Sequence, residues 1–299
     1  MGVQTDIRRL RERTGRRVGF HVSIAGGLDR SVDRAVEREC TAFQIFCGNP
    51  RAWKLDARPR ESVRAFRTSR ADADLRPLIV HACYLINPCS ADGAVIEKSV
   101  RRLADELTLS GALGAEYYVL HPGSHKGRPA EWGLQRAAES IRAALEAAED
   151  PPVLLLESMA SPHGPGGDFE RLGRLIGALD EEGEAETGVA IDSCHVFGAG
   201  YDLREAAEVD RLVADVEEHV GLQRLHLAHV NDARDEAGSR RDRHTHIGRG
   251  QIGESGFRNL LNHPALADLP LILETPWESV EVDLRNLRAV LRLFEGTPG

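Results

Sequence analysis

Residues 152–158 read PVLLLES, an apolar run that ends in a carboxylate. The run is too uniformly apolar for a strand with one wet face. Strands buried on both faces belong to parallel sheets covered by helices. Seven further runs share this character: RVGFHVS (17–23), AFQIF (42–46), PLIVHA (77–82), AEYYVLHPG (115–123), TGVAIDSCH (187–195), LQRLHLAHVND (222–232) and PLILETP (270–276). Between them lie amphipathic stretches with helical spacing, such as VIEKSVRRLADELTLSGA and WGLQRAAESIRAALEAAE. Strand–helix repeated eight times predicts a closed parallel (β/α)8 barrel, the TIM-barrel α/β architecture. The alternative is a doubly wound open sheet, but neither GxGxxG nor GxxxxGK[ST] follows any strand.

A chain of 299 residues suits one such barrel, expected over residues 18–299 as a single domain. Hydrophobic residues make up 41% and charged residues 28%, as in ordinary globular proteins. No apolar run approaches the ~18–20 residues needed to span a bilayer, so no membrane partner is expected. Residues 1–17, MGVQTDIRRLRERTGRR, are Arg-rich without an apolar signal core and are expected to form a flexible extension. Five scattered cysteines, none in a CxxC pair, fit a reduced cytoplasmic protein without disulfides or a thiolate zinc site. The net charge of −9 argues against indiscriminate nucleic-acid binding. It does not exclude DNA, because carboxylates that hold cations are neutralised locally.

The polar residues fall at the ends of the apolar runs. His81 closes the third, His121 the fourth, Glu157 the fifth, and Asp192 with His195 the sixth; His229 ends the seventh and Glu274 the eighth. In a barrel these C-terminal strand ends meet on one face. Asp242 and His244 follow in the loop DRHTHIGRG (242–250). An extended Asp-x-His turns both side chains the same way, although a charged loop alone is more often merely solvated. Each of these residues has an ordinary structural explanation taken singly, a hydrogen bond or an ion pair. Together, buried carboxylates and imidazoles on one rim need cations to neutralise them. Five histidines with four carboxylates and no thiolate point to a polynuclear site for zinc, with manganese or iron as alternatives.

On the segments GFHVSIAGGL, AFQIFCGNPRAW, HACYLIN, HPGSH, IDSCHVFGAGYDL, HVNDA, DRHTHIGRGQIG and PLILETP, in this order, the chain resembles the endonuclease IV family of apurinic/apyrimidinic endonucleases. The resemblance implies a (β/α)8 barrel that holds three zinc ions and cuts double-stranded DNA 5′ to an abasic site, leaving a 3′-hydroxyl. It further implies base-excision repair, removal of 3′-blocking groups and a monomer. Carried over by motif, His81, His121 and Glu157 hold one ion. Glu157 bridges to a second, shared with Asp192, His229 and Glu274, while His195, Asp242 and His244 hold the third. Glu157 is thereby the central catalytic residue. Metal ions lower the pKa of water from ~15.7 toward ~7, which suits in-line phosphodiester hydrolysis without a covalent intermediate. Cys83 and Cys194 flank ligands but lack a paired base and are expected to pack. Arg51, Tyr84 and Leu85 stand where the family carries its minor-groove wedge and base-stack filler, residue types suited to a kinked, unstacked step. The chain departs from the family at SMASPHGPGG (158–167) and at Pro88-Cys89, so both loops are expected to differ in shape.

Two rivals are separable. A sugar isomerase or epimerase of the xylose-isomerase-like barrels shares a metal site similar to Glu157, Asp192, His229 and Glu274, and fold alone does not distinguish it. Such an enzyme has no use for His81, His121, His195, Asp242 and His244 as further ligands. A catalytically idle lesion binder would not require the complete set.

Overall fold

In chain order the strands are β1 (Val18–His21), β2 (Ala42–Ile45), β3 (Leu78–His81), β4 (Tyr117–Leu120), β5 (Val153–Glu157), β6 (Thr187–Asp192), β7 (Leu225–His229), β8 (Asp232–Ala233), β9 (His244–Thr245) and β10 (Leu271–Leu273). All but β8 and β9 form a barrel. It closes in the order β1-β10-β7-β6-β5-β4-β3-β2, every pair parallel. This is the expected TIM barrel. The computed structural model describes residue 12, residues 15–180 and residues 186–294. Most of the extension expected over residues 1–17 lies outside these. Its end does not: Arg16 is buried and donates to the carbonyls of Leu261, Leu266 and Leu269.

Period-two alternation explains both the core and the rim. Ala42, Ile79, Val119, Leu155, Ala190, Leu227 and Ile272 form a fully buried cluster inside the barrel. Successive strand side chains alternate sides, so the residue two positions on faces the same way. From that cluster the step leads to Gln44, His81, His121, Glu157, Asp192, His229 and Glu274. On β1 the same step runs from Gly19, where an added Cβ would collide with the Ala42 carbonyl, to His21. The barrel axis is thus plugged by an apolar layer with a polar layer directly above it.

Residues on the other parity, such as Leu154, Leu156, Phe43 and Tyr118, pack outward on the helices. These are α1 (Asp29–Glu37), α2 (Arg60–Asp72), α3 (Gly93–Leu113), α4 (Ala130–Ala147), α5 (Phe169–Asp180), α6 (Ser193–Ala199), α7 (Ala206–His219), α8 (Gly253–Asn262) and α9 (Val280–Leu293). Asp92 caps α3 by accepting from Ala94 N, and Gly114 ends that helix at φ 72°.

Two features differ from the sequence reading. The run 187–195 is a strand only to Asp192; there its carboxylate accepts from Cys194 N and His195 N and starts α6. His195 therefore projects from a helix's first turn. The loop after β7 also contains a short antiparallel pair, β8 with β9. Asp232 accepts from Gly250 N and Ile252 N and ties this loop down.

Candidate metal centre

Glu157 is the hub of the polar layer. Its Oε2 lies 3.0 Å from His121 Nε2 and 3.4 Å from His81 Nε2. Its Oε1 lies 3.1 Å from His229 Nδ1 and 3.2 Å from His195 Nδ1. Around His229 Nδ1 stand Glu274 Oε2 at 3.7 Å and Asp192 Oδ2 at 4.0 Å. Asp242 joins the group from the loop, with Oδ2 3.1 Å from His195 Nε2 and Oδ1 3.0 Å from His244 Nε2. Three sets have donor atoms close enough to share an ion: His81, His121 and Glu157; Glu157, Asp192 and His229; and Asp192, His195 and His244. Cys194 also approaches Asp242 and His244; burial pushes its thiol up to about 12.

Backbone carbonyls fix the imidazole tautomers. A carbonyl only accepts, so the nitrogen facing it carries the proton. His81 Nδ1 donates to Ala82 O at 2.9 Å, His195 Nδ1 to Ser158 O at 2.8 Å and His244 Nδ1 to Glu274 O at 3.3 Å. Each Nε2 is left as the inward lone pair, the usual arrangement of a metal-ligating histidine.

Without cations, protons balance the charge. Burial alone would lower His229, but Glu274, Glu157 and Asp192 outweigh it and raise the group to about 9. Burial opposes protonation of His244 as well, yet Asp192 and the hydrogen bond to Asp242 raise it to about 10. Burial would push the carboxylates up; instead His121 and His229 hold Glu157 well below the ordinary range, and His229 with His21 does the same for Glu274. The fit to metal ions rests on the leftover atoms. Glu157 Oε2, His195 Nε2 and His244 Nε2 are buried and face charged neighbours at ion-pair distance without a well-directed hydrogen bond. Atoms of this kind are expensive unless an ion takes them.

His81, His121, His195, Asp242, His244 and Glu274 border a cavity of about 410 Å³ open to the barrel's C-terminal face, with Phe46 and Tyr84 on its wall. Tyr84 is 62% exposed, its ring edge-on to Phe46 at 5.0 Å, and Arg51 is exposed. Leu85 is half-buried and packs against the core, so Tyr84 protrudes and Leu85 less so. The loop after β4 lies between the two divergent loops: His125 N donates to His163 O, a Cβ on Gly164 would collide with the Gly123 carbonyl, and one on Gly123 would meet Asn87, Pro88 and Cys89.

Sequence reading passed over four contributors. Gln44 and His21 occupy the polar layer. Asn231 donates to Asp192 Oδ2 at 2.6 Å and accepts from Glu274 N. Ser158 Oγ accepts from Asp192 N. The two-residue step from the inner apolar layer would have exposed Gln44 and His21.

Comparisons with known proteins agree with this geometry. A family model described as xylose isomerase-like TIM barrel matches residues 32–295. A relative named probable endonuclease 4 from Methanoculleus marisnigri is 42% identical over 278 residues, 92% of this chain and 98% of the relative. One of the same name from Halothermothrix orenii is 40% identical over 91% of this chain and 98% of its own length. The crystal structure of endonuclease IV from Thermus thermophilus superposes with a TM-score of 0.83 at 38% identity, covering 94% of this chain and 100% of that one. A D-tagatose 3-epimerase-like protein reaches 0.63 at 20% identity, which reflects the shared barrel alone. The chain belongs to the endonuclease IV family, within the xylose isomerase-like TIM barrels.

Proposed function

We propose that this protein is a DNA-repair endonuclease that hydrolyses the phosphodiester 5′ to abasic sites in duplex DNA and removes 3′-blocking groups. It would act as a cytoplasmic monomer. Among the described residues no helix is long and apolar enough to cross a membrane. The observation that carries the reading is the convergence of four imidazoles on Glu157, with Asp242 set between His195 and His244 beside it.

The residues fit three zinc ions, with manganese or iron as substitutes at one or more positions: one at His81, His121 and Glu157; one at Glu157, Asp192, His229 and Glu274; one at His195, Asp242 and His244. Such ions supply Lewis acidity to phosphate oxygens and lower the pKa of water toward ~7. Everything else is the chain's own work. Glu157, fixed by four histidines, holds its charge at the centre of the site. Asp242 and Glu274 place negative charge on the cavity wall with Asp192 buried behind them, and the backbone and amide partners of Asp192 and Glu274 keep them from collapsing onto the histidines. The cavity receives the everted sugar–phosphate, while exposed Tyr84 and Arg51 enter the gap left by the missing base. Water adds to phosphorus as the bond to the 3′-oxygen breaks, and the leaving oxygen departs as a hydroxyl.

An end-labelled duplex with one tetrahydrofuran abasic analogue tests the reading. The analogue does not undergo β-elimination, so only a hydrolase cuts it. A single nick on its 5′ side with an extendable 3′-hydroxyl is the expected product. Intact duplex after incubation with folded, zinc-replete protein would reject the proposal.

A further inference from the structure

Gln44 is the one strand residue of the polar layer without a titratable group, fully buried on β2, and its amide makes three contacts. Nε2 lies 2.6 Å from Glu274 Oε1 and 2.9 Å from His21 Nδ1; Oε1 lies 2.9 Å from His229 Nε2. A carboxylate only accepts, so the atom against Glu274 must be the amide nitrogen. The other amide atom is then the oxygen, which only accepts, so His229 Nε2 carries a proton. The lone pair of neutral His229 therefore sits on Nδ1, the atom that faces Glu157, Asp192 and Glu274. The second amide hydrogen falls on His21 Nδ1, which puts that ring's proton on Nε2.

His229 is thus the exception among the candidate ligands. His81, His195 and His244 are fixed through Nδ1 by carbonyls and offer Nε2; His229 is reversed. No other hydrogen-bond partner reaches its Nε2 among the described residues. We propose that Gln44 is a positioning residue of the metal centre: it presents His229 through Nδ1 while turning Glu274 toward the same ion. This rests on reading Glu157, Asp192, His229 and Glu274 as one ion's ligands. A glutamate at position 44 would set two carboxylates against each other at the Glu274 contact. An apolar residue would leave His229 free to rotate.

Two measurements without DNA test the proposal, so a failure of the nuclease reading would show separately. In the zinc-loaded parent, nitrogen NMR of labelled histidines, assigned with a His229→Gln variant, should show His229 metallated on Nδ1. All other metallated rings should be bound through Nε2. In Gln44→Met, which keeps side-chain length but makes no hydrogen bond, competition with a chelator should show one zinc held about 10–100-fold more weakly, the range expected for loss of a ligand's supporting partner. The other ions should keep the parent's affinity, and circular dichroism of the metal-stripped protein should match the parent. Gln44→Ala should behave alike if the methionine variant does not fold. Metallation of His229 on Nε2, or zinc retained by the folded variant at the parent's affinity, would overturn the proposal.

Discussion

His195 Nε2 lies 3.1 Å from Asp242 Oδ2, joining the first turn of α6 to the loop that leads into β9. Nothing local brings these residues together. Asp192 starts α6 and so aims His195 inward, while β8–β9 pairing carries Asp242 and His244 back over the barrel mouth. Removing Asp242 should therefore empty one position and leave the others filled. Asp242→Asn is expected to hold one zinc fewer per chain by elemental analysis. Its cleavage of abasic duplex should slow roughly 100-fold or more, since a metal's charge stabilisation is worth several kcal/mol and each ~1.36 kcal/mol is tenfold. An unchanged zinc count would remove Asp242 from the ligand set.

Glu157 receives imidazoles on both oxygens, and no neutral side chain reproduces that charge. Glu157→Gln should lose cleavage to the limit of detection and still bind abasic duplex, because Tyr84 and Arg51 lie apart from it on the rim. Gel-shift and single-turnover assays on one preparation check both halves. Near-normal incision would refute the role.

Metal removal should reverse the pH dependence of stability around the site. In the stripped protein His229 is raised to about 9 and His244 to about 10, above the ordinary 6.5. Raised bases contribute stability that is complete below 6.5 and lost as pH rises through 9–10. Glu157 and Glu274 are depressed, so their contribution is present above the ordinary 4.5 and lost as pH falls. The stripped protein should melt highest between about pH 4.5 and 6.5 and progressively lower toward about pH 10. Zinc-loaded protein should gain on it over that range, because deprotonated ligands bind metal better. A melting temperature of stripped protein that is flat from about pH 6.5 to 9 would contradict this charge balance.

Tyr84 is exposed at the cavity mouth, its ring centroid 6.5 Å from that of His81. Tyr84→Ala should keep the parent's metal content and lose preference for abasic over intact duplex by roughly tenfold, within the ~1–3 kcal/mol typical of aromatic stacking on bases. Competition binding with the two duplexes measures this. Unchanged preference would assign the lesion gap to other side chains.

Much of this was legible because a barrel places chemistry at strand ends, where polar residues interrupt apolar runs. His81, Glu157 and Glu274 each follow such a run and are visible at once. Gln44 was passed over, since a neutral amide inside AFQIF reads as one polar residue in a strand; the two-residue step from Ala42 is what places it on the axis. The strand end at Asp192 was hidden because Ser-Cys-His continues the apolar texture, and a cap is decided by a hydrogen bond rather than by composition. The two-residue strands β8 and β9 carry no periodicity to detect; Asp232's backbone contacts hold that loop. Leu85 looked equivalent to its neighbour Tyr84, but burial separates them.

We propose that Glu157 and its partners hold three ions on which phosphodiester cleavage depends. Stripping the protein with a chelator and titrating zinc back, while following bound metal and nicking of the tetrahydrofuran duplex in the same samples, tests it directly. The account predicts no nicking in the stripped protein and recovery that is complete only at three zinc ions per chain. Nicking by fully stripped protein, or full recovery at a single ion, would contradict it.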